Sequence, residues 1–297
     1  MKIAKIVALG WCLLACAGWS QVFTFSREQM IRYTAKNPYD RFPDGRPKVP
    51  DELLERFRQL TSEEVWAALP RPDYANQYED GWQILHPGKK LVGRAVTAQF
   101  MPFRADVAEV AEAEGKARFG GRSPNQRVID QLQAGDVIVV DLFGKVEEGT
   151  FLGDNLAVYI QTVTGTGLVV DGGIRDLEGI FPLGMPVYYR GAHPTGIRNV
   201  MLTGYNIPIR IGKATVMPGD VVFADREGVW FIPPHLVEKV LAVVERSRIH
   251  DEWTQQKLRS GKYKSSDIYY TPIDPELKKE YDEYLKRRLE ERRQGKP

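Results

Sequence analysis

Cysteine is nearly missing: Cys12 and Cys16 are the only two in 297 residues, and both fall among the first twenty. The remainder of the chain therefore has no disulfide framework and no thiolate metal site, and ordinary packing must hold it. Histidine is scarce as well. His86, His193, His235 and His250 are scattered, with no zinc-ligand spacing between them. There is no HExxH, no GxSxG elbow and no Walker A loop. Glycine turns such as Gly165-Thr166-Gly167 lack the nucleotide fingerprint spacing, so neither a nicotinamide nor an adenosylmethionine site is readable. Internal repeats and low-complexity tracts are absent. What remains is the composition of a globular protein long enough to bury a core.

The first twenty residues form a unit of their own. Lys2 and Lys5 make a basic start, and residues 6–17 are an apolar run too short for a comfortable membrane span. Small residues follow, the pattern of a secretory signal, which predicts an exported protein, periplasmic or extracellular. Ala15-Cys16-Ala17 fits cleavage before Gly18, and Gly18-Trp19-Ser20 fits cleavage before Gln21. Leu13-Leu14-Ala15-Cys16 also resembles a lipobox with Cys16 as a lipid anchor, although Leu14 is not the usual small residue. An uncleaved anchor helix is the third reading, and the short apolar run argues against it. Without the two lysines the basic count of 41 falls to 39, equal to the acidic count of 39. A formally neutral mature chain argues against an electrostatic nucleic-acid binder.

Residues 21–50, with Pro38, Pro43, Pro47 and Pro50, read as an extended arm. Residues 51–60 and 62–69 read as two helices, the second capped by Thr61 or Ser62 with Glu63 and Glu64 in its first turn. Residues 73–90 read as a loop, 91–101 as a strand, 105–116 as a helix, and 128–132 as a helical turn. VIVVDLF at 137–143 is the β-branched run of a buried strand. A helix over 154–164 and a strand over 168–171 follow, the latter broken by Gly172-Gly173. Residues 187–190, 208–211, 215–217, 221–224 and 229–232 are short strands, and 234–248 a helix. Residues 251–275 read as polar and irregular, and 275–293 as a charged amphipathic helix, either a solvated lid or an arm packed on a neighbouring subunit. The order of elements predicts an α/β fold with a layered sheet core, N-terminal helices and a C-terminal helical extension. The boundaries are a signal at 1–20, the arm at 21–50, a catalytic domain at 51–250 and the extension at 251–297.

The chain is organised around GDNLAVYIQTVTGTGLVVDGGIRD, residues 153–176. Gly153 permits a sharp turn into a helix that starts at Asp154. The first amides of a helix lack intrahelical partners and carry partial positive charge, so those of Asp154, Asn155 and Leu156 suit a substrate carboxylate. After twenty intervening residues, past a buried strand, come Arg175 and Asp176. Arg175 offers a bidentate contact to a carboxylate or oxo group, and Asp176 a hard oxygen ligand. Asp154 adds a second ligand, through water, as suits magnesium. A metal there polarises a 2-oxo group and stabilises an enolate, as retro-aldol cleavage or decarboxylation requires. The plainer reading makes Asp154 a first-turn acid and Arg175-Asp176 a surface ion pair. Asp141 and Asp225 read as structural, and His193 as a solvated loop histidine.

GDNLA, GTGLVVDGGIRDLEGI, PVYYRGAHPTG and NIPIRIGKATVMPGDVVFADREGVWFIP, in that order, resemble the RraA-like family. The family includes the regulator of ribonuclease E activity and the 4-hydroxy-4-methyl-2-oxoglutarate aldolases. GRAVTAQ and GDVIVVDLFG fit too, so the resemblance covers residues 53 to 244 or so, and its specificity lies in the ordered series. It implies a swivelling β/β/α layered fold assembled as a homotrimer or hexamer. In such aldolases an Asp, twenty residues and then Arg-Asp form the site. The resemblance thus makes Asp176 a direct ligand of Mg2+ or Mn2+, Asp154 a residue acting through metal-bound water, and Arg175 the contact to a pyruvate-like part. The amides from Gly153 to Leu156 hold the carboxylate, and a further acid comes from a neighbouring subunit. The expected function is a metal-dependent lyase that cleaves or decarboxylates a small 2-oxo or hydroxy dicarboxylic acid, as an aldolase or oxaloacetate decarboxylase does. The alternative is a non-catalytic oligomeric binding or regulatory protein. The signal, the arm and the C-terminal extension depart from the family pattern, and export argues against regulation of a cytoplasmic ribonuclease.

Overall fold

The computed structural model describes residues 22–294, so the signal segment with Cys12 and Cys16 lies outside the described residues. Among the described residues eleven strands are present: β1 Tyr78–Glu79, β2 Gln83–Ile84, β3 Leu91–Pro102, β4 Asp136–Thr150, β5 Leu168–Ile174, β6 Val187–Ala192, β7 Val200–Tyr205, β8 Ile209–Ile211, β9 Ala214–Val216, β10 Val221–Ala224 and β11 Val229–Ile232. The same residues hold ten α-helices: α1 Arg27–Tyr33, α2 Asp51–Phe57, α3 Ser62–Ala68, α4 Ala105–Phe119, α5 Pro124–Ile129, α6 Asp154–Thr164, α7 Leu177–Ile180, α8 Val237–Arg259, α9 Ser265–Ile268 and α10 Pro275–Arg293. One sheet runs β1-β11-β10-β3-β4-β5-β6-β2, with β7 also paired to β3, and β8-β9 form a separate hairpin. The β3-β4, β4-β5 and β5-β6 pairs are parallel, which brings the C-terminal ends of these strands to one edge.

The alternation of strand side chains builds two cores on the two faces. Ile138, Val140 and Leu142 of β4 point into one with Ala157 and Ile160 of α6. Val137 and Val139 point into the other, beneath the β8-β9 hairpin residues Ile209, Ile211 and Val216. A third cluster joins α2, α3 and α8 to the β10-β11 side. With both faces covered, a continuous β-branched run rather than an alternating one is what such strands require. The result is a mixed α/β fold with helices packed along a sheet.

Several local expectations need correction. Gly172 and Gly173 do not break β5, which continues to Ile174. A side chain at Gly173 would lie 2.7 Å from the carbonyl oxygen of Val146, so the glycines admit the winding end of β4 against β5. The arm is not extended throughout: Ser26 and Gln29 form a capping box that starts α1. Residues 251–275 are irregular only in part, because α8 runs on to Arg259 and the short α9 follows at Ser265–Ile268. Ile249 and Trp253 keep the apolar stripe of α8 going past residue 250. Finally, α10 packs on its own chain, with Tyr281 against Trp253 and Ile268. The strand β7 was not expected. Its register with β3 shifts at Gln99/Phe100, so it shows no clean alternation.

Candidate functional site

Two backbone hydrogen bonds lock the approach to α6 against the exit of β5. The Phe151 amide donates to the Gly173 carbonyl at 2.8 Å, and the Arg175 amide to the Leu152 carbonyl at 3.1 Å. Gly153, the next residue, is thereby set beside Arg175 and Asp176. A Cβ at Gly153 would meet the Asp176 Oδ2 and stand 3.1 Å from the Arg175 Nε. The missing side chain is therefore the space in which the carboxylate and guanidinium lie. Arg175 Nε and Asp176 Oδ2 are 3.4 Å apart, with 43% and 41% of their side chains exposed, so the pair faces solvent.

Asp176 holds a left-handed conformation, φ 59° and ψ 43°, as the residue before α7. A non-glycine residue there costs on the order of 1 kcal/mol, and aspartate is among the residue types that tolerate it best. Asp154 opens α6. Its Oδ1 accepts from the Asn155 amide at 2.7 Å. Its Oδ2 lies over Gly179 of α7, 2.8 Å from where a Cβ would stand. The Gly179 amide in turn donates to the Asp176 carbonyl at 3.0 Å. Asp154, Arg175 and Asp176 thus converge on one rim, between the N-terminus of α6 and the short α7. The Ala157 amide already bonds the Gly153 carbonyl at 3.0 Å, and with the Asn155 amide on Asp154 Oδ1 the earlier amides left without intrahelical partners are those of Asp154 and Leu156.

Two supporting residues had no signal in the sequence. Asn125 of α5 is buried and donates through Nδ2 to the Phe151 carbonyl at 2.6 Å, fixing the loop into α6. Gly179 gives Asp154 its room. His193 ends beside the site, its amide bonded to the Ile174 carbonyl at 3.1 Å and its Nδ1 2.9 Å from Thr195 Oγ1. The other histidines are dispersed: His86 bonds Phe181, His235 bonds Tyr74 and His250 bonds Tyr269. Asp225 accepts from the Ser62 amide at 2.8 Å and hydroxyl at 2.6 Å, anchoring α3. Asp141 pairs in register with Asp171. Burial pushes the Asp141 carboxyl above its ordinary range against the pull of the Phe143 amide, and Asp171 adds to the rise.

Residues 68–230 match the family model described as RraA-like, Aldolase/RraA. The chain belongs to the RraA-like family. Protein DlpA of Legionella pneumophila is 30% identical over 213 residues, which is 70% of this chain and 32% of DlpA. A Halalkalibacterium halodurans protein named "Putative 4-hydroxy-4-methyl-2-oxoglutarate aldolase" is 33% identical over 122 residues, 41% of this chain and 58% of that relative. The chain therefore spans about a third and somewhat over half of these two relatives' own lengths. The solved structure of Streptomyces coelicolor RraAS2, described as an unusual member of the RNase ES inhibitor RraA protein family, superposes with a TM-score of 0.58 at 30% identity, over 71% of this chain and 100% of that one. The RraA-like match contains Gly153 through Asp176 and omits α1, α2, α8, α9 and α10.

Proposed function

We propose that this RraA-like protein is a divalent-metal-dependent lyase that cleaves, by retro-aldol reaction, or decarboxylates a small 2-oxo or hydroxy dicarboxylic acid. The observation that carries the reading is the convergence at Gly153. There a guanidinium, two carboxylates and the open amides of a helix N-terminus share one solvent-facing rim. Similarity to a protein named as an aldolase supports the same class.

The substrate's carboxylate lies on the first amides of α6, and Arg175 bridges its 2-oxo end. Cleavage breaks the bond between C3 and C4, and the electron pair moves toward the 2-oxo oxygen, where the guanidinium offsets the growing negative charge. A proton leaves the C4 hydroxyl and another returns to C3, with Asp154 placed to relay it. In decarboxylation the bond to the departing carboxylate breaks instead, and carbon dioxide leaves. Asp176 directly and Asp154 through water are the residues that would hold the metal. No group of three or more His, Cys, Asp or Glu forms a closed metal cage among the described residues. Two carboxylates open to water fit a hard, hydrated ion such as Mg2+ or Mn2+, which takes few protein ligands. When bound, it supplies Lewis-acid polarisation of the 2-oxo group. Because the rim is open in the single chain, the reading includes a homotrimer or hexamer whose neighbouring subunit closes the site. It also includes export of the protein, with no nucleic acid as partner.

The test is pyruvate release from oxaloacetate and from 4-hydroxy-4-methyl-2-oxoglutarate, with magnesium or manganese and then with chelator. Release is expected to fall by about 100-fold or more in Arg175→Ala and Asp176→Ala and to vanish with chelator. Full activity in either variant would sink the mechanism. The similarity to RraAS2 favours a second reading, a non-catalytic regulator. Absence of turnover from a folded oligomer, with a stoichiometric protein partner recovered, would put that reading first.

A further inference from the structure

A cavity of about 520 Å3 lies at the opposite end of the sheet from the candidate lyase site. Its walls are the end of α1 and the turn after it, the loop at Tyr74, the turn at Asp220 and the segment at His235. The Gly219 amide donates to the Ala95 carbonyl and the Asp220 carbonyl accepts from the Ala95 amide, next to the start of β4, whereas Arg175 and Asp176 follow the end of β5. The volume is within the range of about 300–1,000 Å3 usual for small-molecule sites. The α1 and His235 walls lie outside the segment matched to the family.

The floor of this cavity carries an incompletely satisfied acid. Asp220 is 2% exposed, and its Oδ2 accepts from the Met217 amide at 2.9 Å. Its Oδ1 has no donor among the described residues. The chain shows what it does elsewhere with the same turn. At Gly135-Asp136, Asp136 Oδ2 accepts from the Gln133 amide at 3.0 Å in the same way. There the remaining capacity is filled by Arg46, at 2.6 and 3.2 Å. Gly219-Asp220 repeats the turn without the cation. Arg32 and Lys36 also line the cavity, as does Asp73, so its lining carries charge of both signs. In the same lining the Tyr74 hydroxyl is 2.9 Å from His235 Nε2, with the two rings tilted 58° to each other. Burial pushes the Asp220 carboxyl up to about 7 against the Met217 amide, so a cationic partner brings it to its charged form near neutrality.

We propose that this cavity is a second ligand site, for a small zwitterion of the amino-acid class, with its ammonium on Asp220 and its acid group at Lys36 and Arg32. The ammonium supplies the donor that Arg46 supplies to Asp136. A ligand of single charge satisfies only one wall. The site is independent of the lyase chemistry.

The test is calorimetric titration of the purified full chain with 4-aminobutyrate, lysine and glutamate, and with butylamine and butyrate as single-charge controls. At least one zwitterion is expected to bind saturably, about 10-fold or more tighter than either control. That affinity is expected to drop by about 10-fold or more in Asp220→Asn, which keeps the acceptor for Met217, and to weaken in Lys36→Gln. It is expected to persist in Arg175→Ala. Circular dichroism checks that each variant is folded. Unchanged affinity in folded Asp220→Asn, equal binding of butylamine, loss in Arg175→Ala, or no zwitterion bound would each overturn the proposal.

Discussion

At Gly153 the site's demand and the backbone's demand separate. Its φ of −117° and ψ of −169° are extended, a conformation any residue adopts, so only the neighbouring Asp176 and Arg175 side chains object to a methyl group. Gly153→Ala is therefore expected to change stability by less than about 1 kcal/mol while lowering pyruvate release by roughly 100-fold, because it displaces the two groups that must be in register. Urea melts beside steady-state rates check this, and full activity in the variant would show that this arrangement is not the working one. Asp220 permits a stability test that does not depend on any ligand. Burial raises its folded pKa from an ordinary 3.8 to about 7, so between those values the folded state holds a proton that the unfolded chain has released. Its contribution therefore favours folding at low pH and is lost as pH rises. Asp220→Asn should accordingly be more stable than the parent at about pH 8, by an amount on the order of a few kcal/mol, and the two should converge near about pH 4. A variant less stable at the higher pH would contradict this ionisation.

Among elements, α10 shows which contacts matter. Its face toward α8 buries Tyr281 against Trp253, ring centroids 5.2 Å apart, with Leu277, Tyr284 and Leu285 around them. Its charged face reaches Glu252 through Arg288 at 3.3 Å and Arg292 at 2.6 Å. Large-to-small changes in a buried aromatic cluster cost about 3–5 kcal/mol, whereas exposed ion pairs contribute about 0–1 kcal/mol. Tyr281→Ala is thus expected to lower stability several times more than Glu252→Gln and to shift Trp253 fluorescence to the red. Equal losses in the two variants would mean that the ion pairs, not the aromatic cluster, hold the helix. The α10 helix was legible from its sequence because Leu277, Tyr281 and Leu285 recur at helical spacing. Its partner was not, because the receiving surface is the far end of α8, where Trp253 and Ile249 lie among charged residues. The reading of β5 failed for a related reason: Gly172 and Gly173 are breakers by local propensity, but the close approach of β4 needs them inside a strand.

At the scale of the molecule, the parallel β3-β4-β5-β6 core sends its strand ends to one edge, where Gly153, Arg175 and Asp176 meet, and its strand starts to the other, near Asp220. The sequence by itself determined the α/β class, the helix at Asp154, the buried strands and the spacing of acid and Arg-Asp pair. These follow from hydrophobic periodicity, turn residues and motif order, which are local properties of the chain. The tertiary structure alone decided that Gly153 leaves room for two side chains more than twenty residues away, that Asn125 pins the loop and that the arm walls a cavity. It also decided that Asp136 receives Arg46 while Asp220 receives no cation. The two aspartates follow the same Gly in the same turn. What distinguishes them is the residue that packing brings within hydrogen-bond reach, and proximity between distant segments is set by how the sheet and helices pack, not by the composition of either segment.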